Sequence, residues 1–405
     1  MRLVVASEHR FERTPDGCVW AVAGADYSFW RRYLSAFDEV RLAVRVRDCA
    51  SVPPTASRVD GPGIEVWGLP NYVGSRQFLS KRSVVRRALH DAAAPGDGVL
   101  LRLPSAIGGI LARHRERAGL PYVLEVVGDP YDVFSRGAIS HPLRAALRQY
   151  FSRALRSHCR YASGVAYVTG RTLQARYPAS MSAVVAEYSS IELPRSAFVD
   201  AARASNERGC PSRLISIGSL EQPYKGIDVL LSAIALLRAR GEMVTLTHVG
   251  DGRLRRRLEQ LAERLGIADG VTFVGAVPGG APVRDHLRAA DLFVLPSRAE
   301  GLPRALIEAM ALGLPAIGST AGGTPELLPD CRLVRPGDVS GLAAAIARLI
   351  RDPAAMERDS ARNLSRAGAY ASSVLEMRRA NYYESVRAVF ESVLSVRANT
   401  PDATV

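Results

Sequence analysis

Short apolar, β-branched runs alternate along the chain with stretches whose apolar residues recur at helical spacing. Arg2–Ala6 reads as a first strand, ending in a polar loop from Ser7 to Gly17. Runs of the same kind fall at Val40–Val46, Val99–Leu103, Tyr122–Val127 and Gly164–Val168, with helical spacing over 82–94 and 142–160. Strand-like runs alternating with amphipathic helices predict a parallel α/β sheet over roughly residues 1–194. From Pro194 to Pro211 the chain is Ala, Ser, Arg and Asn with little apolar periodicity, as an interdomain linker would be.

The alternation restarts beyond it. Strands are predicted at Leu214–Ile217, Val244–Val249, Val271–Val274, Leu292–Leu295 and Ala316–Ile317, and helices at 227–240, 253–265, 283–289 and 304–312. This second unit spans about 212–373 and is followed by an amphipathic helix over about 374–396. The fold class expected is α/β: two Rossmann-like, doubly wound domains with a cleft at the carboxyl ends of both strand sets.

Composition excludes several classes. With 405 residues, 47% hydrophobic and 23% charged, the chain can build two cores and is not a disordered one. No apolar run approaches the ~18–20 residues of a membrane span, and the N-terminus does not read as a secretory signal. Five scattered cysteines without a CxxC read as reduced thiols of a cytoplasmic protein, and no metal or cofactor is expected. Residues 1–200 hold 27 Arg and Lys against 18 Asp and Glu, so most of the net +13 lies in the first half. Nucleic acid is not the expected partner, because the basic runs lack interleaved aromatics and no binding motif occurs.

Candidate chemistry concentrates in the second half. Glu300 follows an apolar strand, Gly301 and Leu302 come next, and Pro303 opens a helix, a position that suits a residue without an N–H. Free amides and the helix dipole there favour a diphosphate. Glu300, and Glu308 farther into the helix, are wrong for phosphate but right for sugar hydroxyls. A loop carboxylate and a solvated helix residue are the competing readings. Upstream, Gly218 and Ser219 end one strand before Lys225-Gly226, and Lys225 is one of only two lysines in the chain. His248-Val249-Gly250-Asp251-Gly252 and Val271-Thr272-Phe273-Val274-Gly275 end two further strands.

In that order, these motifs, with Pro296-Ser297, the Glu300-x7-Glu308 spacing and Gly322-Gly323-Thr324-Pro325-Glu326, make the second domain resemble the donor-binding half of the family 4, GT-B-fold, retaining glycosyltransferases. The resemblance implies a hexosyltransferase using a nucleotide diphosphate sugar, a UDP-sugar such as UDP-GlcNAc or a UDP-hexose being expected. Lys225 would meet the diphosphate and Glu300 the hexose, with the Gly301 and Leu302 amides beside them. Glu308 would take the ribose, and the Phe273–Val277 stretch, with Gly275, would border the base. The terminal helix would cross back onto the first domain. A GT-B-fold epimerase or hydrolase, or a non-catalytic sugar-nucleotide-binding module, are the alternatives.

Two departures stand out. Ser219 replaces the family's arginine after the first glycine, and the Ser7–Gly17 loop replaces a double-glycine loop. Gly17 then becomes the candidate for close backbone approach, with His9 and Arg10 facing the acceptor. Asp129, in Gly128-Asp129-Pro130, stands near where relatives carry a sugar-contacting histidine, and its competing reading is a helix cap. Arg102, at a strand end, is a weaker candidate better explained by an ion pair. The acceptor, a hydroxyl of unknown identity, is a glycan, a lipid-linked sugar or a small natural product. The basic stretches 78–89 and 144–160 make peripheral contact with an anionic inner membrane face one reading, and a solvated helix face the other.

Overall fold

The computed structural model describes residues 1–398 apart from Ala23, Ser140 and 205–211; the last segment, with Cys210 and most of the linker, lies outside the described residues. The first sheet is built from β1 (Arg2–Arg13), β2 (Val19–Ala21), β3 (Glu39–Asp48), β4 (Ser57–Arg58), β5 (Ile64–Pro70), β6 (Gly98–Leu103), β7 (Val123–Val126), β8 (Gly164–Tyr167) and β9 (Val184–Glu187). Its parallel body runs β5-β3-β1-β6-β7-β8-β9, and β2 and β4 form an antiparallel flap on the end of β1. The second sheet has β10 (Ser212–Ile217), β11 (Val244–Val249), β12 (Val271–Gly275), β13 (Leu292–Leu295), β14 (Ala316–Ser319) and β15 (Leu333–Val334), all parallel in the order β12-β11-β10-β13-β14-β15. Two doubly wound α/β sheets are present, as the alternation of strand and helix patterns requires.

The order reverses between β1 and β6 in one sheet and between β10 and β13 in the other. These are the positions where such sheets open a crevice for ligands. Around the first lie Ser7 to His9 and Leu103 to Ser105; around the second lie Gly218 and Pro296-Ser297.

Three sequence expectations fail here. Ser7–Arg13 is not a loop: β1 continues beside β3 through a register shift between Ala6 and Arg10, because Ser7 and Phe11 bury their side chains. Gly17 consequently sits with φ +83° in the exposed turn joining β1 to β2, with nothing within 4 Å of where a Cβ would be. That turn lies at the outer flap, not at the switch point. The first-domain helix read as 82–94 begins earlier, spanning Gly74–Ala92.

The described part of the linker is docked, not loose. The Arg203 guanidinium donates to the carbonyls of Leu287, Ala290 and Leu312, and the Val199 amide donates to Ala311. After the second domain the chain returns. The helix Ser372–Ala398 lays Tyr382, Tyr383, Val386 and Phe390 into the first domain, where Phe390 fills the space left by Gly98, and Val386 that left by Gly164. The Tyr382 hydroxyl donates to the Leu124 carbonyl at 3.1 Å.

Under this helix lies a carboxylate taken out of water. Glu125 on β7 is 3% exposed and accepts from the hydroxyls of Tyr33, Tyr188 and Tyr383 and from the Arg102 guanidinium. Burial disfavours the Arg102 charge, but Glu125 and Tyr33 outweigh it and hold Arg102 above its ordinary value. Arg102 is thus a structural ion-pair partner and leaves the acceptor-side candidates.

Candidate functional site at the facing switch points

The second domain's crevice is shaped by glycines that let side chains and backbone pass close together. Lys225 lies across Gly218, whose added Cβ would come within 2.8 Å of the lysine methylenes. Gly226, at φ +69°, approaches the Pro296 carbonyl so closely that a Cβ would sit 2.2 Å from it. A similar approach holds Gly250 against Gly218, and the Gly250 amide donates to the Gly275 carbonyl at 2.8 Å. The four strand ends therefore converge on one crevice.

There Lys225 Nζ donates to Glu300 Oε1 at 2.6 Å, and the Ser297 hydroxyl donates to the same oxygen at 2.6 Å. Both partners are largely buried, with side chains 16% and 8% exposed. Arg298 is tied to Asp228 by two bonds of 2.8 and 2.6 Å, which locks the loop carrying Glu300 onto the helix Ile227–Ala239. Gly301 follows, and the helix runs Arg304–Ala311, so Pro303 is its cap, not its first residue. Leu302 is buried.

Glu308 makes no hydrogen bond among the described residues. Burial holds its carboxyl above the usual range, with Arg304 and Arg284 pulling the other way. A largely desolvated carboxylate without a partner is costly, and hydroxyl donors from a ligand would satisfy it. Ser219 accepts only from the amide of Glu221. Val277 packs half-buried beyond Gly275, beside the Phe273 edge of the crevice.

His248, fully buried, faces the Gly218 carbonyl across 3.1 Å, and burial pushes its pKa down to about 4. It is neutral in the folded protein and gains a proton more readily when unfolded. Between pH 4 and the ordinary value near 6.5 the unfolded chain therefore binds the extra proton, and stability falls as pH falls through that window. Going from pH 7 to 5 should cost the second domain about 2 kcal/mol from this group. Denaturant titrations at the two pH values check this, with His248→Gln losing that part of the dependence.

The first domain contributes His9, in the register shift of β1. Its ring packs on Phe11, Phe29 and Trp30, and Nδ1 pairs with the Ser7 hydroxyl at 2.6 Å. Burial, with Arg102, Arg45 and Arg304 nearby, pushes it to about 3, so it is a neutral imidazole. Arg10 is exposed. Asp129 is not free for a ligand. It is 1% exposed, caps the turn Pro130–Val133 by accepting from the Tyr131 amide, accepts from the Tyr177 hydroxyl at 2.6 Å, and pairs with Arg176. The cap competes for the carboxylate and wins, because a buried charge needs all of these partners.

The domains meet around this site. A Cβ on Gly301 would touch the Val127 carbonyl at 2.6 Å, and the Gly322 amide donates to Asp132. The stronger bridge is Glu326, whose carboxylate accepts from the amides of Gly170, Arg171 and Thr172 and from the Thr172 hydroxyl. It thereby caps the first-domain helix Thr172–Arg176 from the other domain. Glu326→Ala should raise amide hydrogen exchange at 170–172 by about 10–100-fold while leaving each domain's core protected.

Sequence reasoning quoted Glu326 without a role and passed over Arg304. Arg304 makes no hydrogen bond or ion pair among the described residues, yet acts on His9 and on Glu308 from the helix's first position. Its place directly after Pro303 was the available signal.

A lysine, a helix N-terminus and two carboxylates thus surround a crevice between two doubly wound sheets. Residues 211–352 match the family model described as Glycosyl transferases group 1. The match lies within the second domain, and the two sheets together have the GT-B fold. The chain is 27% identical over 351 residues to Protein CapJ of Staphylococcus aureus, covering 86% of each chain. A GDP-mannose-dependent α-(1-6)-phosphatidylinositol monomannoside mannosyltransferase of Mycolicibacterium smegmatis is 33% identical over 154 residues, 36% of this chain and 38% of the relative. Among solved structures, Anabaena HepE in complex with UDP-glucose superposes with TM-score 0.64 at 17% identity, over 95% of this chain and 100% of that one. No helix of the described residues is long and apolar enough to cross a membrane.

Proposed function

We propose that the protein transfers a hexosyl group from a nucleotide diphosphate sugar to a hydroxyl, with retention of the anomeric configuration. The observation that carries this is the Lys225–Glu300–Ser297 cluster at the β10/β13 switch point, with the unpartnered Glu308 on the same crevice. Lys225 and the amides at Gly301 and Leu302 stabilise the charge that develops on the leaving diphosphate. Glu300 orients the hexose, and Glu308 accepts from the ribose. Arg304 supplies the second cation that Ser219 does not. In this reading the lysine and the helix end do the electrostatic work, and no residue is assigned to a metal. Attack comes from the face the leaving group occupies, so a leaving phosphate oxygen can take the acceptor's proton. His9, neutral and on the facing switch point, is placed to accept from a sugar or acceptor hydroxyl.

HepE holds UDP-glucose and the mycobacterial relative depends on GDP-mannose, so the base is the first thing to establish. One of UDP-, GDP-, ADP- or dTDP-sugars should raise the melting temperature at saturation, by a stabilisation of about 2.7 kcal/mol at a hundred times its dissociation constant. Glu308→Ala should weaken that shift for the nucleotide and the sugar nucleotide alike. If no nucleotide moves the melting temperature, the reading fails.

A further inference from the structure

The first domain holds a second concavity that the donor chemistry does not use. A cavity of about 700 Å³ opens between the helices Gly74–Ala92, Ala106–Arg117 and Arg144–Tyr161. That is the size of sites that enclose small ligands, ~300–1,000 Å³. Phe78, Ile110, Phe134, Tyr150 and Phe151 make its apolar walls, with the Phe134 and Phe151 rings stacked at 5.4 Å. Leu79 and Tyr150 line it and are also strongly exposed, at 65% and 56%, so apolar surface continues out over the rim. One end is walled by Glu8, Leu103, Pro104 and Ser105, residues of the first domain's switch point.

The cavity is not purely apolar. Arg82 and Arg113 line it and make no hydrogen bond or ion pair among the described residues. His158, 5% exposed, bonds Glu116 through Nδ1 at 2.9 Å, while its buried Nε2 has no partner and lies beside Arg113 over Gly109. An orphaned ring nitrogen is expensive inside a protein unless a ligand completes it. Next to a bound anion the ring can take up a proton and become a further donor. The carboxylate among the lining residues, Glu8, is already spent on the amides of Ala106 and Ile107, the Tyr72 hydroxyl and Arg45, not on Arg82 or Arg113.

We propose that this cavity receives the hydrocarbon chain of a lipid phosphate that carries the glycosyl acceptor, with Arg82 and Arg113 holding the phosphate. Apolar walls that continue onto an exposed rim suit a chain, and two unpaired guanidiniums suit a phosphate or diphosphate. The wall shared with the switch point would bring the group beyond the phosphate to the crevice. The proposal rests on the glycosyl-transfer reading for the role of that group, and names the acceptor class.

Calorimetry on the full chain, with dodecyl phosphate below its micellar concentration, tests it. Two reference probes are dodecyl maltoside, with the same chain and no charge, and inorganic phosphate, with the charge and no chain. Dodecyl phosphate should bind one-to-one and at least about tenfold more tightly than either probe. Arg82→Glu and Arg113→Glu should each weaken it about tenfold or more, and Ala154→Trp, which fills the cavity, should abolish binding. Arg256→Glu, on an exposed helix of the second domain, should change nothing. Equal binding of dodecyl maltoside, binding of inorganic phosphate as tight as that of the alkyl phosphate, or indifference to the two arginine substitutions overturns the proposal. Arg82 is exposed, so its variant decides the matter even if Ala154→Trp does not fold. Nucleotide titrated into the same samples separates the failures: nucleotide bound without alkyl phosphate sinks the cavity alone, and the reverse sinks the donor reading alone.

Discussion

Lys225→Ala should lower turnover by about 10²–10³-fold. The lysine sits inside the donor crevice, packed over Gly218 and bonded to Glu300. Removing it takes away charge stabilisation that grows as the diphosphate leaves, so the loss falls on kcat more than on KM. Glu300, 8% exposed, then keeps only the Ser297 hydroxyl of its two partners, so a loss of stability accompanies the loss of rate. Lys225→Arg should recover only part of the rate, since a planar guanidinium does not follow the path over Gly218 that the methylene stem takes. Steady-state kinetics with the nucleotide sugar identified by thermal shift gives the answer. Unchanged turnover in Lys225→Ala would remove the lysine from the diphosphate.

The largest effect on stability should come from the other domain. Arg102→Met leaves Glu125 charged in a site 3% exposed, with tyrosine hydroxyls as its remaining hydrogen-bond donors among the described residues, and should cost about 3–5 kcal/mol. Replacing both, as Arg102→Met with Glu125→Leu, should not restore the wild-type value. Without the carboxylate, the hydroxyls of Tyr33, Tyr188 and Tyr383 lose their acceptor, and each buried hydroxyl left unpaired costs about 1–3 kcal/mol. Urea denaturation followed by tryptophan fluorescence reads the first domain, since Trp20, Trp30 and Trp67 all lie in it. A double variant as stable as the wild type would show that the tyrosines find other partners.

The strands β10, β11, β13 and β14 and the helices between them were legible because each of these strands is a largely buried run bounded by a glycine or a proline. The first sheet was harder. Ser7 to Arg13 reads as polar loop, yet only Ser7 and Phe11 needed burial for the strand to go on, and pairing with β3 supplied the rest. β5 and β9 are half-exposed edge pieces, and the helix Ala106–Arg117 hides among glycines and arginines, so none announces itself by period. At the site, Lys225 and Glu300, each followed by a glycine at a strand-end loop, could be brought to one crevice from the sequence, and they meet there. Asp129 could not, because its fate depends on Arg176 and Tyr177, dozens of residues away. The same is true of Glu326, whose partners belong to the other domain. Pairings across sequence distance leave no local trace.

The returning helix Ser372–Ala398 has a consequence for how the chain is made. Tyr383 and Phe390 complete a core whose strands emerge from the ribosome some two hundred residues earlier or more. The second domain contains all of its own strands and can close as soon as they are made. The first must wait with Glu125 and the faces of β6 and β8 unsealed until the helix Ser372–Ala398 has been made. The domain synthesised first is therefore the one that finishes last, and during that interval it is the half that a chaperone or protease would find open.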